Sequence, residues 1–315
     1  MRFDFIKNAS GPKRILLYTL PASTLILAIC LISLLFVQLF GNNAGTGPSD
    51  DSGDVPGNDS GGITYSLIPV ASSDVYSKGT LLVVNTHTKI QVYPSDDALV
   101  TIYGENKTDS YKVNLASFRL RREALTALNA MMDVYLLETA DDSTTVTSAY
   151  RTEAEQAALT SSKVQAGYSE HHLALSVRLR RNKNSAVSNL PSDHWIYGNG
   201  HKYGFIQRYP VGKEDVTFDE QDYVDCFRFV GIPHATYIYE NGLCLEEYVA
   251  LLKSYTYEGT HLTVTADGVS YEIYYVPAEN LADENAVTQL PVPEGAEYSY
   301  SGNNTDGFIV TVTVN

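Results

Sequence analysis

The sequence predicts an α+β domain followed by a small β appendage, held outside a membrane by one N-terminal helix. Three observations predict this. An uncharged apolar stretch runs from about Ile15 to Phe40. Helix-spaced and strand-like segments alternate through residues 64–256. From Gly259 onward the helical spacing stops, and only strand and turn signals remain through 257–315.

The stretch 15–40 exceeds the roughly 20 apolar residues that a helix needs to cross a bilayer. Arg2, Lys7, Lys13 and Arg14 precede it and Asp50, Asp51 and Asp54 follow it. The positive-inside rule therefore leaves residues 1–14 as a cytoplasmic tail and puts the rest outside the cell membrane. Small residues at Gly41–Gly45 leave open a cleaved leader. Ile29 before Cys30, with the apolar run continuing, excludes a lipid-modified cysteine. Residues 41–63, rich in Gly, Ser, Asp and Asn, read as a flexible acidic tether.

In the folded part, Gly79 to Val84 is an apolar run expected to form a strand. Leu125, Leu128, Met132 and Tyr135 recur at helical spacing, which predicts a core helix from about Leu120 to Tyr135. Thr144 to Ser148 alternates β-branched residues and leads to a polar corner ending at Thr152. Glu153 to Leu159 reads as helical, Leu173 to Leu179 and Cys226 to Gly231 as strands, and Leu245 to Leu252 as a helix. Leu262–Ala266, an Asp267-Gly268 turn and Tyr271–Val276 form a hairpin signal, and Phe308–Val314 a last strand.

A net charge of -15 excludes nucleic acid, whose phosphates need a basic footprint. The 23 tyrosines fit tyrosine-rich strands better than a carbohydrate-stacking surface. Cys226 and Cys244 are the cysteines of the folded part, and their spacing does not say whether they pair. Arg178, Arg180, Arg181 and Lys183 read as a solvated basic loop, and His194, His201, His234 and His261 as surface or capping residues.

Five pieces in order, Ser148-Ala149-Tyr150-Arg151-Thr152 with Gln156, Ser169-Glu170-His171, Tyr203 to Pro210, Phe227 to Gly231, and Glu246-Glu247-Tyr248, resemble the VanY-like D-alanyl-D-alanine carboxypeptidases. The resemblance covers about Tyr65 to Leu252 and extends to the β appendage, which looks like C-terminal extensions of some members. It implies a small antiparallel sheet flanked by helices, with zinc held by two histidines and an aspartate and with a glutamate as general base. Three protein ligands leave one position where zinc can activate water. It also implies that Ser148, Tyr150, Arg151 and Gln156 form the substrate side, Arg151 holding a terminal carboxylate through paired hydrogen bonds. On the residues alone, Arg151 could equally anchor a turn.

Against the motif Ser-Glu-His-x-x-Gly-x-Ala-x-Asp, this chain keeps His171 but has Arg178 at the aspartate ligand. Against Glu-x-Trp-His-x-Arg-Tyr-Val-Gly, it has Tyr223 at the general base and Cys226 at the second histidine. A guanidinium about 4 Å from zinc would add roughly 8 kcal/mol of repulsion at an effective dielectric near 20. The expectation is a pseudoenzyme with no intact catalytic residue and no bound cofactor, which binds a peptidoglycan peptide or an envelope protein. A divergent active carboxypeptidase with a rebuilt metal site and an envelope scaffold or regulatory subunit are the alternatives. For a rebuilt site, His172 and Glu170 should face away from His171 on a strand, leaving Asp222 or Asp225 as replacements through a register shift. Cys226 reads most simply as a small buried hydrophobe.

Overall fold

The structure is a computed structural model that describes residues 63–314, apart from 107, 184–185 and 219–222. The apolar segment 15–40, nearly all of the tether, and Asp222 lie outside the described residues. Among the described residues no helix is long and apolar enough to cross a membrane.

In chain order the strands are β1 (Tyr65–Ala71), β2 (Leu99–Thr101), β3 (Lys112–Val113), β4 (Arg119–Arg121), β5 (Thr144–Ser148), β6 (Ser176–Lys183) and β7 (Ala186–Ser188). They continue as β8 (Phe205–Gln207), β9 (Cys226–Phe229), β10 (Leu262–Ala266), β11 (Val269–Pro277), β12 (Val287–Pro293), β13 (Tyr298–Gly302) and β14 (Gly307–Val314). The main sheet has the order β3-β5-β6-β9-β8, with β7 added against β6. It is antiparallel as expected except at β3–β5, which run parallel.

A helix at Arg122–Thr139 covers one face of this sheet. Its Leu125, Leu128, Met132 and Tyr135 are buried at steps of three and four, so a single stripe faces inward. It stops at Ala140, which takes the left-handed conformation at φ 55° and returns its N–H to the Leu136 carbonyl. Val146, Val177, Leu179, Phe227 and Phe229 from the sheet fill the same core. Strand alternation then sends Ser176, Arg178, Cys226 and Arg228 to the opposite face. One side of the sheet is apolar; the other carries the chemistry.

Two expected strands are corrected. Leu173 is the last residue of a 3-10 turn, Glu170–Leu173, and the strand begins only at Ser176. Ala174 between them takes φ 56°, at the glycine position of the family motif, and ends the turn. Gly79–Val84 bends at Gly79 and Thr80 and joins no sheet. Its Leu82 and Val84 enter the core under the main sheet, whereas Leu81 and Val83 enter a second core. Arginine side chains, not a neighbouring strand, take its carbonyls: Arg228 Nη2 donates to Thr80 O and Leu82 O, and Arg208 Nη2 to Val84 O.

Strands β10, β11, β14 and β13 form a second sheet in that order, and β1 pairs with β12. Asp267 and Gly268, both at positive φ, turn β10 into β11. The second core joins Ile238, Leu245, Tyr248 and Leu252 from the helices Ile232–Glu240 and Leu245–Leu252 to Leu262, Ile273 and Ile309. The C-terminal strands thus share a core with the preceding domain. β1, which the sequence division put with residues 64–256, is paired within the C-terminal part.

Candidate functional site

The polar face of the sheet is organised around Glu170. Its Oε2 accepts from Arg208 Nε at 2.8 Å, and its Oε1 accepts from Ser176 Oγ at 2.8 Å and from Arg228 Nη1. Arg208 also grips Glu246 with both terminal nitrogens, at 2.9 and 2.6 Å. Arg208 and Arg228 are fully buried. Burial pushes the Glu170 carboxyl up, but Arg228 and Arg208 together pull it down further, to below its ordinary value. Glu170 is therefore a structural anion with both oxygens committed, unavailable to a metal or a proton transfer.

His171 follows on the same turn and is 5% exposed. Its Nε2 lies 3.4 Å from Ser148 Oγ, and Nδ1 makes no hydrogen bond. Burial, then Arg151 and Arg178, hold its pKa well below the ordinary imidazole value, so the ring is neutral. His172 points away, as expected, but from a 3-10 turn and not from a strand. It donates from Nδ1 to Arg151 O at 2.8 Å and accepts from Gly167 N at Nε2.

Arg178 pairs across the sheet with Cys226. Its Nε and Nη2 both donate to Asp225 Oδ1, at 3.0 and 2.7 Å, and its guanidinium carbon stands 4.5 Å above the Tyr223 ring. Arg180 Nε lies 3.2 Å from the other oxygen of Asp225. Asp225, which stands at the tryptophan position of the family motif, is fully buried. Arg178 and Arg180 are thus strand residues converging on one carboxylate, not parts of a solvated loop. Cys226 is buried, and burial followed by Glu170 pushes its thiol well up, so it is protonated. Cys226 and Cys244 are both free thiols.

On the substrate side, Arg151 lines the same cavity as His171, Tyr223 and Cys226. Its Nη2 reaches Ser169 Oγ at 3.4 Å, and its Nε is buried without a partner. Ser148 meets the site through His171. The two other expected contacts lie elsewhere. Tyr150 sits under Arg119, whose guanidinium is 5.2 Å from the ring centre. Gln156 is buried and donates to Ser162 Oγ and Val164 O, bracing a loop of the cavity wall. Of the scattered histidines, His194 caps the helix Trp195–Asn199 as expected. His234 is instead buried between Tyr248 OH and Thr311 Oγ1.

These residues do not fit zinc. Among the described residues, the donors left around the cavity are one neutral imidazole and one protonated thiol, with Glu170 and Asp225 already bound to arginines. Among the described residues no cluster of three His, Cys, Asp or Glu side chains could hold a metal ion. The electrostatic part of the expectation is corrected, because Arg178 is not a bare charge: Asp225 compensates it. Asp225 does turn inward, but as a partner for guanidinium and not for a metal.

Asp225→Ala is expected to lower stability by about 1–3 kcal/mol, since two half-covered guanidiniums lose their common acceptor. The doubly apolar Arg178→Leu/Asp225→Leu is expected to regain most of that loss. Urea unfolding measures both, and a single variant as stable as the parent would remove Asp225 from the account.

A mixed sheet with one apolar face, and a polar cleft built from the Ser-x-Tyr-Arg and Ser-Glu-His segments, defines a D,D-peptidase-type domain. The family model described as VanY: D-alanyl-D-alanine carboxypeptidase matches residues 117–231. A D-alanyl-D-alanine carboxypeptidase of Enterococcus faecium is 38% identical over 147 residues, which are 47% of this chain and 45% of that protein. Another of the same description from Enterococcus faecalis is 40% identical over 83 residues, 26% of this chain and 30% of that one. This chain therefore spans less than half the length of either. The crystal structure of the vancomycin resistance D,D-dipeptidase VanXYg in complex with a D-Ala-D-Ala phosphinate analogue superposes with a TM-score of 0.67 at 26% identity. That match covers 80% of this chain and 100% of the other. Residues 117–231 are thus VanY-like, and the fold around them is similar to that of a D,D-dipeptidase.

Proposed function

We propose that this protein is a catalytically silent VanY-like domain, tethered outside the cell membrane, that binds a peptidoglycan peptide without cleaving it. The observation that carries the reading is Arg178 at a metal-ligand position, locked to Asp225 and covered by Tyr223. The three changed positions touch or face one another, so they replace the metal site with a different, internally satisfied arrangement. The family's base is replaced: Tyr223 stands at the glutamate position, and a phenol is a far weaker proton acceptor than a carboxylate at neutral pH.

Among the described residues, no carboxylate pairs with the Arg151 guanidinium beside the cleft. That guanidinium suits a peptide C-terminus through charge-assisted hydrogen bonds. The related dipeptidase complexed with a D-Ala-D-Ala analogue supports that ligand class. The tether is supported by the apolar segment 15–40 and its flanking charges.

Calorimetric titration of the full chain with a D-Ala-D-Ala-terminated peptide tests the reading. Binding is expected, with no D-alanine release, and Arg151→Ala should weaken it about tenfold or more, the share of one charge-assisted pair. Affinity that ignores Arg151→Ala would remove the cleft from the interaction. A small cleft favours a second reading, a scaffold that uses another surface, because the cavity beside Arg151 is only about 20 Å³. Absence of any peptide binding would select it.

A further inference from the structure

The cavity beside His171 has a volume of about 20 Å³. That is room for one atom-sized or water-sized occupant, since a single water needs about 10–15 Å³. Its wall includes Arg151, Ser169, His171, Tyr209 and Cys226, and also Glu170, whose oxygens are spent on Arg208, Arg228 and Ser176. Beyond the lining, Arg178 and Arg180 share the carboxylate of Asp225, which leaves Arg151 as the lining charge without a counter-ion among the described residues. Arg151 joins no ion pair among the described residues, and its Nε hydrogen is buried without an acceptor.

A buried, unpaired donor on a charged group is costly to leave unmet. A cation entering this space would meet the like charge of Arg151, whereas a small anion would supply the missing acceptor. We infer that the cavity, where the family resemblance puts a metal cation, takes one small monovalent anion, chloride, bound through the Arg151 guanidinium. The substitutions remove the zinc ligands, and the retained Arg151 then sets the sign of the ion the cleft accepts. This rests on the reading above that the metal site is lost, and a peptide carboxylate would compete with chloride for Arg151.

The test is thermal unfolding of the full chain in sodium chloride against sodium gluconate at equal ionic strength, gluconate being too large for the cavity. Chloride at saturation should raise Tm by about 3 °C through preferential binding to the folded state, and bromide should do the same. Arg151→Gln should abolish the difference between the two salts. Equal Tm values in both salts, or a difference that persists in Arg151→Gln, overturns the inference. If Arg151→Gln does not fold, bromide-soaked crystals decide: an anomalous peak in this cavity supports the site, and peaks only elsewhere overturn it. Peptide titration in gluconate keeps the two readings apart. Peptide binding with no halide effect sinks the anion alone, and a halide effect with no peptide binding sinks the peptide reading alone.

Discussion

Glu170→Ala should lower the stability of this protein by about 3–5 kcal/mol, the cost of removing one partner from a buried ion pair. Two fully buried guanidiniums, Arg208 and Arg228, would lose the carboxylate they share, and only Arg208 would keep another, Glu246. The effect should spread, because the same arginines hold the carbonyls of Thr80, Leu82 and Val84 and thereby seat this segment between two cores. Glu170 also adds an acid limb to the stability curve. Its folded pKa lies below the ordinary 4.5. Its stabilisation is therefore present above that value and is lost as pH falls through the folded pKa. The variant should be less stable at neutral pH and fall less steeply on acidification. Urea unfolding across about pH 3–7 reads both, and a loss below about 1 kcal/mol would mean that the network is not integral to the fold.

The second large effect is a gain. Arg178→Asp combined with Cys226→His restores the family's residue types at two metal positions beside His171, giving three protein ligands. Zinc affinity should rise by at least about a hundredfold, or about 2.7 kcal/mol. Asp225 would remain paired with Arg180, so the introduced carboxylate would not stand beside a second free one. Turnover should not return, because Tyr223 still stands where a carboxylate base is needed. Competition with a zinc-binding dye measures the affinity. A double variant that takes up no more zinc than the parent would show that these positions do not surround one site.

Much of this is legible in the sequence because it depends on local order. The helix through Leu125–Tyr135, strands β5 and β10, the Asp267-Gly268 turn and the ordered motifs all follow from spacing along the chain. What escapes depends on contacts between distant segments. Gly79–Val84 reads as a strand because it is an apolar run. Nothing within it reveals that arginines about 125 and 150 residues away would take its carbonyls. Glu170 reads as a residue facing the wrong way, although it anchors the cleft. Arg228 between two buried aromatics, Phe227 and Phe229, is the available signal, since an arginine there must find a partner on the opposite face of the strand. Likewise, Arg178 and Asp225 are each odd against the family motifs, and their opposite signs on facing strands point to a pair. Tyr150 and Gln156 rest on the motif alone: Gln156 braces the cavity wall from outside, and Tyr150 packs against Arg119.

The central claim is that Arg178 and Asp225 together stand in place of a metal ion. Metal analysis of the full chain, purified from zinc-supplemented cells, tests it most directly. The account predicts no bound zinc, no D-alanine released from a D-Ala-D-Ala peptide, and no change in either on His171→Ala. One zinc per chain, lost together with D-alanine release in His171→Ala, would contradict it.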